Sequence, residues 1–331
     1  MIIAADATSP TVGRPALPVL VLVLFTVVAM VLGGSGSADA RPAPLPVTYS
    51  FLSGIQAELT HPGGTLPGTD DFSCRPAAEH PRPVILVHGS GGGRQTNWGT
   101  LAPVLKNAGY CVFAPTVGAL SGIWPASAIG GLGPKEDTAW DLKRYIDRVR
   151  QATGADQVDI VGHSLGTEIP TYWMKYLGGR GQVGAYVSLA PYWKQAADED
   201  DARGESIAMF RRSLGIPAPH RPACPECTAP PQDRDFNQAV RQPTPYLPAV
   251  RYTNISTRDD QIVTPYSSGQ LAGPPGTDVT NIVVQTGCPT DHSDHVSIVA
   301  NRRSAALVLG ALDPAHAPPV PCLYVPPYTG A

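Results

Sequence analysis

The chain has 331 residues and a formal net charge of −3, and Asp, Glu, Lys and Arg make up only 15% of it, against roughly 25% in an average soluble domain. Phosphate backbones require a concentrated excess of Lys and Arg, so nucleic acid is not an expected partner. Glycine (34) and proline (36) are abundant without reaching the share typical of disordered chains, and 43% hydrophobic residues can build a real core.

The first forty residues carry one basic side chain, Arg14, then an apolar run from Val19 to Leu32 broken only by Thr26, then Ala38-Asp39-Ala40. This pattern predicts a secretory signal peptide over residues 1–40, cleaved after Ala40. An uncleaved anchor is the alternative, but the run falls short of the roughly 20 residues that span a bilayer. The mature chain, 41–331, contains no second candidate span and is expected outside the cytosol. The six cysteines there read as three disulfides.

Residues Pro83 to Val87 form a continuous apolar run that ends at His88-Gly89, as expected of a strand buried on both faces. A helix is predicted from Asn97 to Ala108, stopped by Gly109, followed by a strand at Cys111 to Ala114. From Asp137 to Thr153, Leu142, Tyr145, Ile146 and Val149 fall at i, i+3, i+4 and i+7, which predicts an amphipathic helix lying on a sheet. Further strands are expected at Val158 to Val161, Ala185 to Leu189, Val250 to Ile255 and Asn281 to Gln285. Further helices are expected at Leu165 to Leu177 and Asp294 to Leu312. Alternating strands and helices predict an α/β fold with a mainly parallel sheet covered on both faces.

One interval, about 191–247, interrupts this rhythm with the acidic run Asp198 to Asp201, a short helix-like piece bearing Ile207, Phe210 and Leu214, and a Pro-rich stretch. It reads as a cap over the C-terminal edge of the sheet, where open α/β folds bind ligands; a solvated insertion is the alternative. The tail from about 314 to 331 reads as a Pro-rich strap.

The strongest chemical signal is Gly162-His163-Ser164-Leu165-Gly166 between a predicted strand and a predicted helix. G-x-S-x-G in that context is a nucleophile elbow, with small residues permitting a turn that lifts the serine hydroxyl above the sheet. A serine needs a base to take its proton and an acid to orient that base, and in such folds they follow in the order Ser, Asp or Glu, His. Asp259 and Asp260, in the turn after the strand ending near Ile255, compete for the acid; spacing does not choose between them. Thr264 and Pro265 then suit the cap and first position of a following helix. His61, His80, His88, His163 and His220 precede the acid, which leaves His292, His295 and His316 as bases. The cluster Asp291-His292-Ser293-Asp294-His295 could alternatively hold a metal.

The segments Gly162-His163-Ser164, Asp260-Gln261-Ile262-Val263-Thr264-Pro265, Cys288-Pro289, Ser293-Asp294-His295 and Ala311-Leu312-Asp313-Pro314 resemble the secreted lipases called lipase class 2. These are actinobacterial α/β-hydrolases related to the fungal lipase B type, and the likeness covers most of residues 74–322. The family acid opens a D-x-[IV]-V-x-P motif, which implies Asp260. Its base follows Ser-Asp or Ser-Glu, which implies His295. An oxyanion hole needs the backbone amide after the nucleophile, Leu165, and one from the loop after the first buried strand. The resemblance places that second donor at Ser90, whose hydroxyl is a candidate further donor. It also implies the pairs Cys74–Cys111 and Cys288–Cys322, leaving Cys224 and Cys227 to pair locally; a zinc site at His220, Cys224 and Cys227 would supply only three ligands. The chain departs from the family pattern around Leu165-Gly166-Thr167 and at Tyr192-Trp193-Lys194. The loop Gly89 to Gly93 lacks the Lys-Ser or Lys-Thr of a phosphate cradle.

The expected protein is a secreted serine ester hydrolase, a lipase or carboxylesterase cleaving acylglycerol-type esters. Ser164 is the nucleophile, His295 the base and Asp260 its orienting acid, and no cofactor or metal is required. Its expected partner is a small-molecule or lipid ester, met transiently at a lipid interface, and the chain is expected as a monomer. A polyester hydrolase, an envelope acyltransferase with the same triad and a non-catalytic binding protein on a hydrolase scaffold are the alternatives.

Overall fold

The computed structural model describes residues 43–193 and 231–331, and the described residues from Pro44 onward belong to one compact unit. The predicted signal segment, the acidic run, the helix-like piece at 207–214, His220 and the Cys224–Cys227 pair lie outside the described residues.

Six strands form a single sheet: β1 (Val84–Val87), β2 (Val112–Phe113), β3 (Val158–His163), β4 (Val183–Leu189), β5 (Arg251–Ser256) and β6 (Asp278–Val283). Their order is β2-β1-β3-β4-β5-β6, and every pairing is parallel. From β1 the chain first moves outward to β2 and then returns to build the opposite side from β3. The strand order therefore reverses beside β1 and β3, and open α/β sheets place ligands at such a switch point, outside the carboxyl ends of the strands.

Among the described residues the α-helices are α1 (Leu52–Thr60), α2 (Leu101–Asn107), α3 (Lys135–Thr153), α4 (Glu168–Tyr176), α5 (Pro231–Arg241) and α6 (Arg302–Leu312). Successive side chains of a strand point to opposite faces, and β1 shows both faces buried. Ile85 and Val87 join a cluster with Leu142 and Ile146 of α3 and Trp173 of α4. Val84 and Leu86 join one with Leu101 and Leu105 of α2 and Val308 of α6. That double burial explains why β1 reads as an unbroken apolar run. The α/β class with a parallel sheet between two helical layers is as expected.

Several boundaries differ from expectation. The last strand begins and ends earlier, at Asp278–Val283, because it is an edge strand with none of its residues fully buried, and exposed Asp278, Thr280 and Asn281 carry no apolar signal. The helix expected from 294 is split into a single 3-10 turn, Ser297–Ala300, and α6, with Asn301 accepting the Arg303 amide at 2.7 Å as an N-cap. Thr264 and Pro265 do not open an α-helix. The Pro265 carbonyl accepts the Ser268 amide in a short 3-10 turn, Tyr266–Gly269, and the Gly- and Pro-rich stretch beyond it does not propagate a helix. Helix α1 was not expected, nor was α5, whose apolar face rests on Phe236 and Val240, four residues apart in an otherwise mostly polar segment. Helix α5 lies in the predicted cap interval and packs on α4, where Phe236 stacks on Tyr172 with ring centroids 4.7 Å apart. Lys175 Nζ, with three hydrogens to donate, lies within 2.9 Å of the carbonyl oxygens of Ala239, Val240, Gln242 and Thr244 around the C-terminal end of α5.

Two disulfides form, Cys74–Cys111 and Cys288–Cys322, closing separations of 37 and 34 residues. Bridges of that span typically stabilise by roughly 2–4 kcal/mol.

Candidate active site

The end of β3 delivers Ser164 at φ 54°, a left-handed conformation that typically costs a non-glycine residue about 1–3 kcal/mol. Its neighbours make that turn feasible. A methyl group on Gly162 would lie 2.4 Å from the Gly166 oxygen, and one on Gly166 would lie 2.0 Å from the Val87 oxygen. Side chains at either place would push the turn off the sheet. After Ser164 the chain makes one 3-10 turn, Ser164–Thr167, before α4 begins, and the Thr167 hydroxyl donates to the Ser164 carbonyl at 2.7 Å.

The loop leaving β1 runs directly beneath this elbow, since a methyl group on Gly89 would approach Ser164 Cβ to 3.0 Å. His88 anchors the loop through two backbone groups. Its Nδ1–H donates to the Gly89 carbonyl at 2.8 Å, and Nε2 accepts the Val117 amide at 3.1 Å. Complete burial lowers its pKa to about 4 and keeps the ring neutral. A second segment braces the same loop: Gly91 N–H donates to Gly130 O at 2.9 Å and Gly130 N–H to Gly92 O at 2.6 Å. The Ser90 hydroxyl is not a spare donor, because it donates to the Gly131 carbonyl at 2.9 Å. The sequence makes that hydroxyl a candidate further donor, and in the structure it is already engaged.

The other two expected residues meet at the end of β5. His295 Nδ1 lies 3.0 and 2.9 Å from Asp260 Oδ1 and Oδ2, and both side chains are buried. Asp260 Oδ1 also accepts the amides of Ile262 at 2.9 Å and Val263 at 2.7 Å. These donors compensate its desolvation, as a buried carboxylate requires. The neighbouring pair faces out: His292 Nδ1 lies 3.0 Å from Asp259 Oδ2, with the side chains 49% and 39% exposed. His316 is farther off and contacts Asp313 at 2.8 Å.

The histidine loop is held by groups that sequence reasoning did not single out. Buried Gln285 donates to Thr257 Oγ1 at 2.8 Å and to the Asp291 carbonyl at 3.1 Å, while Asn301 donates to Asp291 Oδ2 at 2.7 Å. The carboxylates of Asp291 and Asp294 turn into the backbone. Asp291 Oδ1 accepts the Ser293 amide at 2.9 Å, and Asp294 Oδ1 accepts the amides of Val296 at 3.0 Å and Ser297 at 2.8 Å. The tail strap clamps the loop from outside, with His292 N–H donating to Val325 O at 2.9 Å and Tyr328 N–H to Asp294 Oδ2 at 2.8 Å.

His163 ties this loop to the elbow that carries Ser164. Its Nε2 lies 2.8 Å from the His295 carbonyl oxygen, and the two rings are 4.9 Å apart. Burial lowers the His163 pKa to about 3, so this ring is neutral as well. A cavity of about 400 Å³ lined by Arg82, Tyr110, Asp159 and Arg251 opens at the opposite edge of the sheet and takes no part in this arrangement.

A family profile described as "alpha/beta hydrolase fold" matches residues 82–233. Among solved structures, lipase B from Aspergillus fumigatus is similar at 18% identity and a TM-score of 0.51, over 78% of this chain and 57% of that one. The chain thus spans little more than half of the lipase it matches. A highly thermostable carboxyl esterase from Bacillus coagulans is similar at 16% identity and a TM-score of 0.42, over 63% of this chain and 82% of that one. Together with the six-stranded parallel sheet, the profile identifies the fold as that of the α/β-hydrolase superfamily.

Proposed function

We propose that this protein is a secreted serine ester hydrolase of the lipase or carboxylesterase type, with residues 1–40 as its signal peptide and a single catalytic domain after it. The observation that carries the proposal is a buried His295–Asp260 pair whose His295 carbonyl is bonded to His163, the residue that precedes Ser164 on its elbow. The superfamily fold supports it, and the two disulfides fit an oxidising compartment. None of the described helices is long and apolar enough to cross a membrane.

In the proposed reaction Ser164 Oγ attacks the ester carbonyl carbon while His295 Nε2 takes its proton. Asp260 accepts the Nδ1–H and stabilises the imidazolium that forms. The backbone amides of Ser90 and Leu165 hold the tetrahedral oxyanion. As the intermediate collapses, His295 protonates the departing alcohol. Water then attacks the acyl-enzyme by the same route, so no cofactor or metal enters.

The test is Ser164→Ala, expected to abolish hydrolysis of p-nitrophenyl esters and labelling by a fluorophosphonate while the melting curve stays cooperative. Undiminished turnover would overturn the proposal. A series from short soluble esters to emulsified triglycerides then separates carboxylesterase from lipase.

A further inference from the structure

His163 stands immediately before the proposed nucleophile, yet its side chain serves the proposed base. Its Nε2 lies 2.8 Å from the backbone carbonyl of His295, 132 residues away in sequence. A carbonyl only accepts, so Nε2 carries the proton. In the neutral ring Nδ1 is then an acceptor, and it lies 3.1 Å from the Asn97 side chain, with Oδ1 placed toward it. Two acceptors in contact repel, while Asn97 Nδ2 is buried and lacks a partner among the described residues. Rotating the amide by half a turn resolves both faults, because the oxygen and nitrogen of an asparagine exchange places at little steric cost. A charged imidazolium would also satisfy both contacts, but His163 is buried, and the carboxylate that acts on it, Asp260, is already engaged by His295 and two amides.

We propose that His163 is a positioning residue that ties the His295 backbone to the elbow through Nε2–H, and that Asn97, presenting Nδ2 to Nδ1, holds it in that tautomer. Two loops from different strands thereby share one bond next to the reacting atoms. The His295 amide is held more loosely, by Gln261 Oε1 at 3.3 Å, so the carbonyl anchor sets the approach of the imidazole to Ser164. The proposal rests on the serine hydrolase function above, and a misplacement of about 1 Å in such a site can lower turnover on the order of 10²-fold.

Two measurements test it. In ¹⁵N-labelled wild-type protein, two-bond ¹H–¹⁵N correlations should show a neutral His163 protonated at Nε2; the Nδ1–H form or an imidazolium overturns the proposal. On soluble esters, His163→Met, of similar length but without a donor, should lose on the order of 10²-fold in kcat with KM little changed. His163→Gln, which keeps an N–H near the Nε2 position, should recover to within about tenfold of wild type. Equal losses in the two variants, or a loss confined to KM, overturn it. Fluorophosphonate labelling of wild type is read in parallel. If Ser164 is not labelled, the hydrolase function fails, while the tautomer of His163 is still decided by the spectrum of the same unmodified chain.

Discussion

Two aspartate–histidine pairs form side by side from almost adjacent residues, and they differ in nearly everything but composition. Asp260 and His295 are buried against each other at 2.9 Å, and Asp260 receives two further backbone donors. Asp259 and His292 meet at 3.0 Å on the surface with about half their side chains in water. Water screens the outer pair, and exposed ion pairs contribute roughly 0–1 kcal/mol. The inner pair has lost that screening, so its geometry and its hydrogen bonds decide its orientation. The same two residue types yield a catalytic candidate in one place and a solvated contact in the other because of burial alone.

The comparison can be broken most sharply at Asp260. Asp260→Asn should reduce kcat/KM for p-nitrophenyl esters on the order of 10⁴-fold, since the amide favours the wrong imidazole tautomer. A loss below about tenfold would remove Asp260 from the proposed triad. A middle-sized effect concerns the buried neutral rings. His88 and His163 have pKa values depressed to about 4 and about 3 by desolvation, against about 6.5 for an unfolded histidine. The unfolded chain therefore binds protons first, and the stability these rings contribute is complete above pH 6.5 and is lost as pH falls toward 4 and then 3. Each unit of depression is worth roughly 1.4 kcal/mol. Urea unfolding midpoints should decline over that window, and replacing His88 by Gln should flatten the upper part of it. The smallest effect belongs to the outer pair: Asp259→Asn or His292→Ala should change stability by less than about 1 kcal/mol and leave kcat within about twofold. A loss at Asp259 larger than at Asp260 would invert the assignment.

How far this was legible varied with the physical basis of each signal. Strands β1 and β3 lie in the middle of the sheet, and burial on both faces leaves a continuous apolar mark that any reader of Val84 to Val87 can see. The elbow was legible for a steric reason, because Gly162 and Gly166 stand where a methyl group would strike backbone. Strand β6 was misplaced because an edge strand in which exposed Asp278, Thr280 and Asn281 are interspersed with partly buried apolar residues has no such mark. Helix α1 was missed although it carries Glu58, a buried carboxylate that accepts from Gly63 N, Gln95 Nε2 and Trp124 Nε1. Two of those partners, Gln95 and Trp124, are distant along the chain. The choice of Asp260 over Asp259 was open on spacing, and only family likeness pointed to it before the geometry did.

The sequence by itself determined the alternation of buried strands and amphipathic helices, the tight turn at Ser164 and the order in which an acid and a histidine follow it. These depend on periodicity, on glycine sterics and on local hydrogen bonding, all of which act over a few residues. Only the tertiary structure decided which aspartate meets which histidine, that the Ser90 hydroxyl is already engaged by Gly131, and that His163 reaches across to the carbonyl of His295. Each of those depends on desolvation and on contacts between segments far apart in the chain, quantities that exist only once the sheet has brought the loops together.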